Sequence, residues 1–97
     1  MVITVFRSRL RPDATEYGPT AERMSELART MPGYISHKVF TAEDGERVTL
    51  VEFESPEAQE GWRKHTEHLA AQRKGRNDFY SEYRLQVCTV VKDTRFP

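Results

Sequence analysis

The chain has 97 residues, 37% of them hydrophobic and 31% charged, and its fifteen lysines and arginines are balanced by fifteen aspartates and glutamates. That balance supplies no positive field for nucleic acid or an anionic membrane surface, so both partner classes are disfavoured. No apolar run nears the roughly 20 residues of a membrane-spanning helix, and the opening Val2-Ile3-Thr4-Val5-Phe6 lacks the charged start of a secretion signal; a cytoplasmic protein is expected.

Val2 to Leu10 is rich in β-formers and ends at Arg11-Pro12, where proline removes a backbone donor, so it reads as the first strand. Asp13-Ala14-Thr15-Glu16 has the form of a capping box ahead of the helical series Tyr17, Ala21, Met24, Ala28, Met31, which stops at Pro32-Gly33. Gly18-Pro19 inside that pattern should kink the helix or delay its start. Residues 34–41 and 47–54 are extended segments joined through Asp44-Gly45, a strong hairpin turn signal, and should pair antiparallel. Ser55-Pro56 then opens a second helix, expected over residues 55–75 with room for a bend near His65. Residues 79–91 form a long last strand, with Phe79, Tyr83, Leu85 and Val87 on one face and Tyr80, Arg84, Gln86 and Cys88 on the other.

The order βαββαβ in so short a chain predicts one α+β, ferredoxin-like domain over residues 1–97, an antiparallel four-stranded sheet with two helices on one face. A chain of this size buries only about 60–65% of its unfolded surface. Its polar composition, with apolar residues on both faces of strand one, fits a buried surface shared with a second copy, giving a homodimer with a barrel-like centre. The single cysteine, Cys88, forms no internal disulfide and reads as a strand residue.

The second helix carries the candidate site. Ala58, Trp62, His65 and Leu69 advance by four, three and four and share one stripe, with His68 and Gln72 at its margin. An imidazole beside an indole on a core-facing stripe suggests a site, the ordinary alternative being a hydrogen-bonded core histidine. His65 is the better candidate for lining a pocket, and His68 the other. His37 lies with Ile35 and Val39 and either lines the same cavity or faces solvent or a partner. His65 and His68 are too few to hold a metal, and no metal site is expected.

Met31-Pro-Gly-Tyr34, Val51-Glu-Phe53, Trp62-Arg-Lys-His65-Thr-Glu-His68, Ala71-Gln72, Gly75-Arg76, Phe79-Tyr80 and Tyr83 together resemble the antibiotic biosynthesis monooxygenase family of dimeric α+β barrel proteins. The resemblance implies the dimeric α+β barrel fold and, for the true oxygenases of that kind, oxidation of a small aromatic or quinol-like metabolite by molecular oxygen without metal or flavin. Such chemistry needs a base, a donor for the developing anion and a dry aromatic pocket. His65 or His68 would be the base, and Trp62 a wall for a planar ligand. Arg84, Tyr80 or Tyr83 would stabilise negative charge, but Tyr80 and Arg84 share one strand parity and Tyr83 the other, so only one set faces the helices unless a bulge intervenes. The chain departs from the quinol oxygenases in having Ala58 where they carry asparagine, and from haem-degrading relatives in having Arg7-Ser8 and Gln72 at their asparagine and histidine positions. The alternative expectation is a non-catalytic dimer of the same fold that binds a small ligand.

Overall fold

The computed structural model describes residues 1–97. The elements run β1 (Val2–Leu10), α1 (Tyr17–Arg29), β2 (Tyr34–Thr41), β3 (Arg47–Phe53), α2 (Pro56–Lys64), α3 (Thr66–Lys74), a π-helical turn (Gly75–Phe79) and β4 (Tyr80–Thr89). The strands form one antiparallel sheet in the order β2-β3-β1-β4, with β1 and β3 central. This is the ferredoxin-like α+β fold, with three helices where two were expected.

Proline and glycine set the boundaries. Helix α1 starts at Tyr17 rather than at the Asp13 box: Glu16 occupies the N-cap in the left-handed region, with no side-chain cap. Pro19 has no N–H and is accommodated only within a first turn, so the start is deferred to put it there. At the other end Gly33 takes φ +80, and a Cβ there would lie 2.5 Å from the Ala58 Cβ, so this turn needs glycine twice over. Ser55 caps α2 by accepting from the Ala58 N–H at 3.1 Å, with Pro56 at the first helical position.

The expected single helix over 55–75 is two. His65 sits between them with ψ 134, outside helical geometry, and its Nδ1 accepts from the Glu67 N–H at 3.2 Å to cap α3. The backbone break turns α3 relative to α2 and dissolves the stripe that ran through Trp62, His65 and Leu69. Trp62 is buried, whereas Leu69 is 37% exposed. Two ion pairs, Arg23 with Glu67 and Lys74 with Glu16, hold α3 beside α1.

The face of the sheet under the helices carries Val2, Thr4, Phe6 and Ser8 of β1, with Phe53, Val51, Thr49 and Arg47 of β3 opposite them in register. Leu27, Ala28, Val51, Phe53 and Trp62 form the core, with Phe53 fully buried. The other face carries Ile3, Val5, Val48 and Leu50, all half-buried, and Phe40, which is exposed.

Candidate functional site

Between the covered face of the sheet and the helices lies a cavity of about 270 Å³. Thr4, Phe6, Thr49 and Val51 supply its floor, Ala21 and Met24 of α1 its roof, and Trp62, His68 and Gln72 one wall. His37 of β2 and Tyr80 and Tyr83 of β4 also line it. Tyr83 and Leu85 remain 43% and 46% exposed, so the rim is open to solvent.

Of the two helix histidines, His68 is the one that the fold brings to the cavity. Its ring stacks on Trp62 with centroids 4.0 Å apart and planes 12° from parallel. Its Nδ1 lies 3.1 Å from the Trp62 carbonyl oxygen. A carbonyl only accepts, and it is nearer than the Gln72 amide nitrogen, which lies 3.4 Å from the same atom, so the bond to Trp62 puts the hydrogen on Nδ1 and leaves Nε2 its lone pair. Burial is the main cause that pulls the His68 pKa below its ordinary value, with His65 adding to it and the bond to Trp62 opposing it. At neutral pH His68 is therefore an uncharged imidazole with Nε2 as its basic atom. Gln72, one turn on, sends Nε2 toward the Arg63 carbonyl at 3.4 Å and braces the same wall.

His65, the first choice on sequence, does not line the cavity, because the helix break converts it into a cap. Arg84 does not line it either. It pairs in register with Arg7 on the uncovered face and is exposed. Tyr80 and Tyr83, which parity placed apart, both line it. Arg9 pairs with Glu82 and Leu10 with Tyr80, so Ser81 is an extra residue and the bulge returns Tyr80 to the covered side. The two rings flank Phe6, at 5.4 and 5.6 Å between centroids. Gly75 makes room for this packing, since a Cβ there would lie 2.7 Å from the Tyr80 ring. Burial pushes the Tyr80 phenol above its ordinary pKa, with Tyr17 adding to the shift and Arg47 opposing it. Tyr80 is therefore a neutral hydroxyl.

His37 reaches the cavity from β2 with its Nδ1 2.6 Å from the Tyr34 hydroxyl. Burial, then Arg29, lowers its pKa. In the sequence Tyr34 stands out only as part of the Met31–Tyr34 motif, and neither it nor Thr4 or Arg47 reads there as a site residue. Thr4 Oγ1 and Arg47 Nε are buried on the cavity lining without a hydrogen-bond partner in the chain. Strict alternation with Thr49, Val51 and Phe53 was the signal that turned Arg47 inward. No three or more His, Cys, Asp or Glu side chains come together in a way that could hold a metal ion, and no helix is long and apolar enough to cross a membrane.

The geometry defines a class: a ferredoxin-like α+β protein with an aromatic cavity between sheet and helices that presents neutral imidazoles and phenols. The antibiotic biosynthesis monooxygenase family model matches residues 1–74, and the chain belongs to that family. It is 38% identical over 92 residues to the uncharacterized protein YqjZ of Bacillus subtilis strain 168, covering 95% of this chain and 81% of that protein. Among solved structures, Rv0793 from Mycobacterium tuberculosis superposes with a TM-score of 0.84 at 20% identity, over 97% of this chain and 98% of that one. SnoaB, a cofactor-independent oxygenase from Streptomyces nogalater, gives a TM-score of 0.79 at 15% identity, over 95% of this chain and 94% of that one. At such identities the two structures speak to the fold alone.

Proposed function

We propose that residues 1–97 act as one unit, a cofactor-independent monooxygenase that oxidises a small aromatic or quinol-like metabolite with molecular oxygen. The observation that carries this reading is the state of His68: buried on the cavity wall, stacked on Trp62, with Nδ1–H fixed on a carbonyl and Nε2 left as a base. Family membership and the likeness to an oxygenase fold are consistent with it.

His68 Nε2 takes a proton from the acidic position of an anthrone-like or phenolic substrate. The resulting carbanion, delocalised as a phenolate, is stabilised by the Tyr80 and Tyr83 hydroxyls. The electron-rich carbon reduces oxygen and forms a C–O bond, giving a hydroperoxide. Loss of the second C–H proton breaks the O–O bond, leaving a quinone carbonyl and releasing the other oxygen atom as water. Two hydrogens leave the substrate, both from one carbon of an anthrone or one each from oxygen and carbon of a phenol, and one oxygen enters, so the substrate is the sole reductant.

Two copies pack through the uncovered face of the sheet, where Ile3, Val5, Val48, Leu50 and Phe40 form an apolar patch. Oxygen uptake from anthrones, naphthols and hydroquinones after chelation tests the reading, comparing the native chain with His68→Ala. Uptake that survives the chelator and falls by roughly a hundredfold in the variant is the expected result. Saturable binding of these compounds with no uptake would leave a non-catalytic binding dimer.

A further inference from the structure

The cavity lining contains one formal charge. Among its residues there is no aspartate, glutamate or lysine, and Arg47 is the only side chain that is charged throughout the physiological range. Arg47 stands on the covered face of β3, with the Tyr17 ring 5.3 Å from its guanidinium carbon. It makes no ion pair and no side-chain hydrogen bond in the chain, and its Nε is buried. The nearest acids in sequence are already taken: Glu46 holds Arg7 at 3.0 Å and Asp44 holds Arg9 at 2.7 Å. Every other arginine of the strands finds its carboxylate or stands on the exposed surface, so Arg47 alone brings an unmatched charge to the cavity.

Arg47 is half-buried, and its Nε–H, closed off from solvent with no acceptor in the chain, is a donor that an anionic ligand would satisfy. The face of Tyr17 attracts the guanidinium but supplies no acceptor. Arg47 and Val51 are about 13 Å apart along β3 at strand spacing, and Val51 shares a buried cluster with Trp62, so Arg47 and Trp62 stand toward different ends of the cavity. Between them Phe6, Met24, Val39 and Leu85 line the cavity, with the hydroxyls of Thr4 and Thr49 in its floor.

We propose that Arg47 is the anion-binding end of this cavity and that the ligand is an aromatic carboxylate, its rings toward Trp62 and its carboxylate on the guanidinium of Arg47. The inference rests on the cavity being the substrate site and specifies the substrate: it carries its negative charge before any proton is removed. Arg47 is then a specificity-determining residue, fixing which end of the substrate enters toward His68.

Isothermal titration calorimetry with 2-naphthoate and its neutral isostere 2-naphthamide tests this on the native chain, on Arg47→Met and on Arg47→Lys. The acid should bind the native chain tighter than the amide by roughly tenfold or more. Arg47→Met should abolish that preference while leaving amide affinity in place, which also shows that the variant is folded, and Arg47→Lys should keep part of it. Equal affinities in the native chain, a preference that survives Arg47→Met, or no saturable binding of the acid would overturn the assignment. Acid preference without oxygen uptake from any substrate would reject turnover and leave the anion end standing. Uptake from neutral anthrones without acid preference would do the reverse.

Discussion

The two histidines of the α2–α3 region divide their work by a single backbone torsion. At His65, ψ 134 ends one helix and aims the ring at the next N–H, whereas His68, inside α3, stacks on Trp62. His65→Ala should therefore cost about 1 kcal/mol of stability through the lost cap and leave oxygen uptake nearly unchanged, as denaturant melts and uptake rates would show. His68 and His37 both have lowered pKa values in the folded chain, so the unfolded chain binds more protons just below the ordinary histidine range. Stability is then full above about pH 6.5, declines as the unfolded imidazoles take up protons, and levels once pH has fallen through the folded values. Urea midpoints measured from pH 7.5 to 5 should follow this course, and His68→Gln should flatten it. An independent backbone prediction concerns Gly33, whose positive φ and contact with Ala58 leave no room for a side chain. Gly33→Ala should destabilise the fold by about 2 kcal/mol or more, read as a lowered melting temperature.

At the level of elements, the strands and turns were legible because proline, glycine and the Asp44-Gly45 pair punctuate them with local chemistry. β1 and β2 fall on the expected residues, and the hairpin pairs as the turn signal requires. What was not legible depends on partners far away in sequence. The break at His65 is a cap formed across two residues within an otherwise helical pattern, so periodicity ran straight through it. The bulge at Ser81 is set by how Leu10 and Arg11 meet the π-helical turn, where the Arg11 guanidinium donates to the Asn77 carbonyl at 2.7 Å and to the Tyr80 carbonyl at 3.1 Å. Arg47 escaped notice because a charge beside a turn ordinarily reads as surface, although its parity pointed inward. Gly75→Ala, whose Cβ would strike the Tyr80 ring, should displace Tyr80 from the cavity. Ligand affinity should then weaken more than stability, as paired titration calorimetry and thermal melts would reveal.

For the whole molecule, the two faces of the sheet differ in character. One lines a cavity with aromatic rings, neutral imidazoles and Arg47, and the other carries the apolar patch around Val5, Val48 and Leu50 that we assign to a second copy. Leu50→Asp should convert a dimer to monomer in light scattering, with a cooperative melt if the single chain retains its own core around Phe53. Isotope tracing tests whether His68 initiates the proposed reaction of a bound aromatic substrate with oxygen. Chelated protein turning over an anthrone under 18O2 should yield a quinone with one heavy oxygen atom and one molecule of heavy water, and His68→Ala should lose this product. Quinone without label would rule out the oxygenase reaction, and labelled product formed undiminished by His68→Ala would rule out His68 as its base.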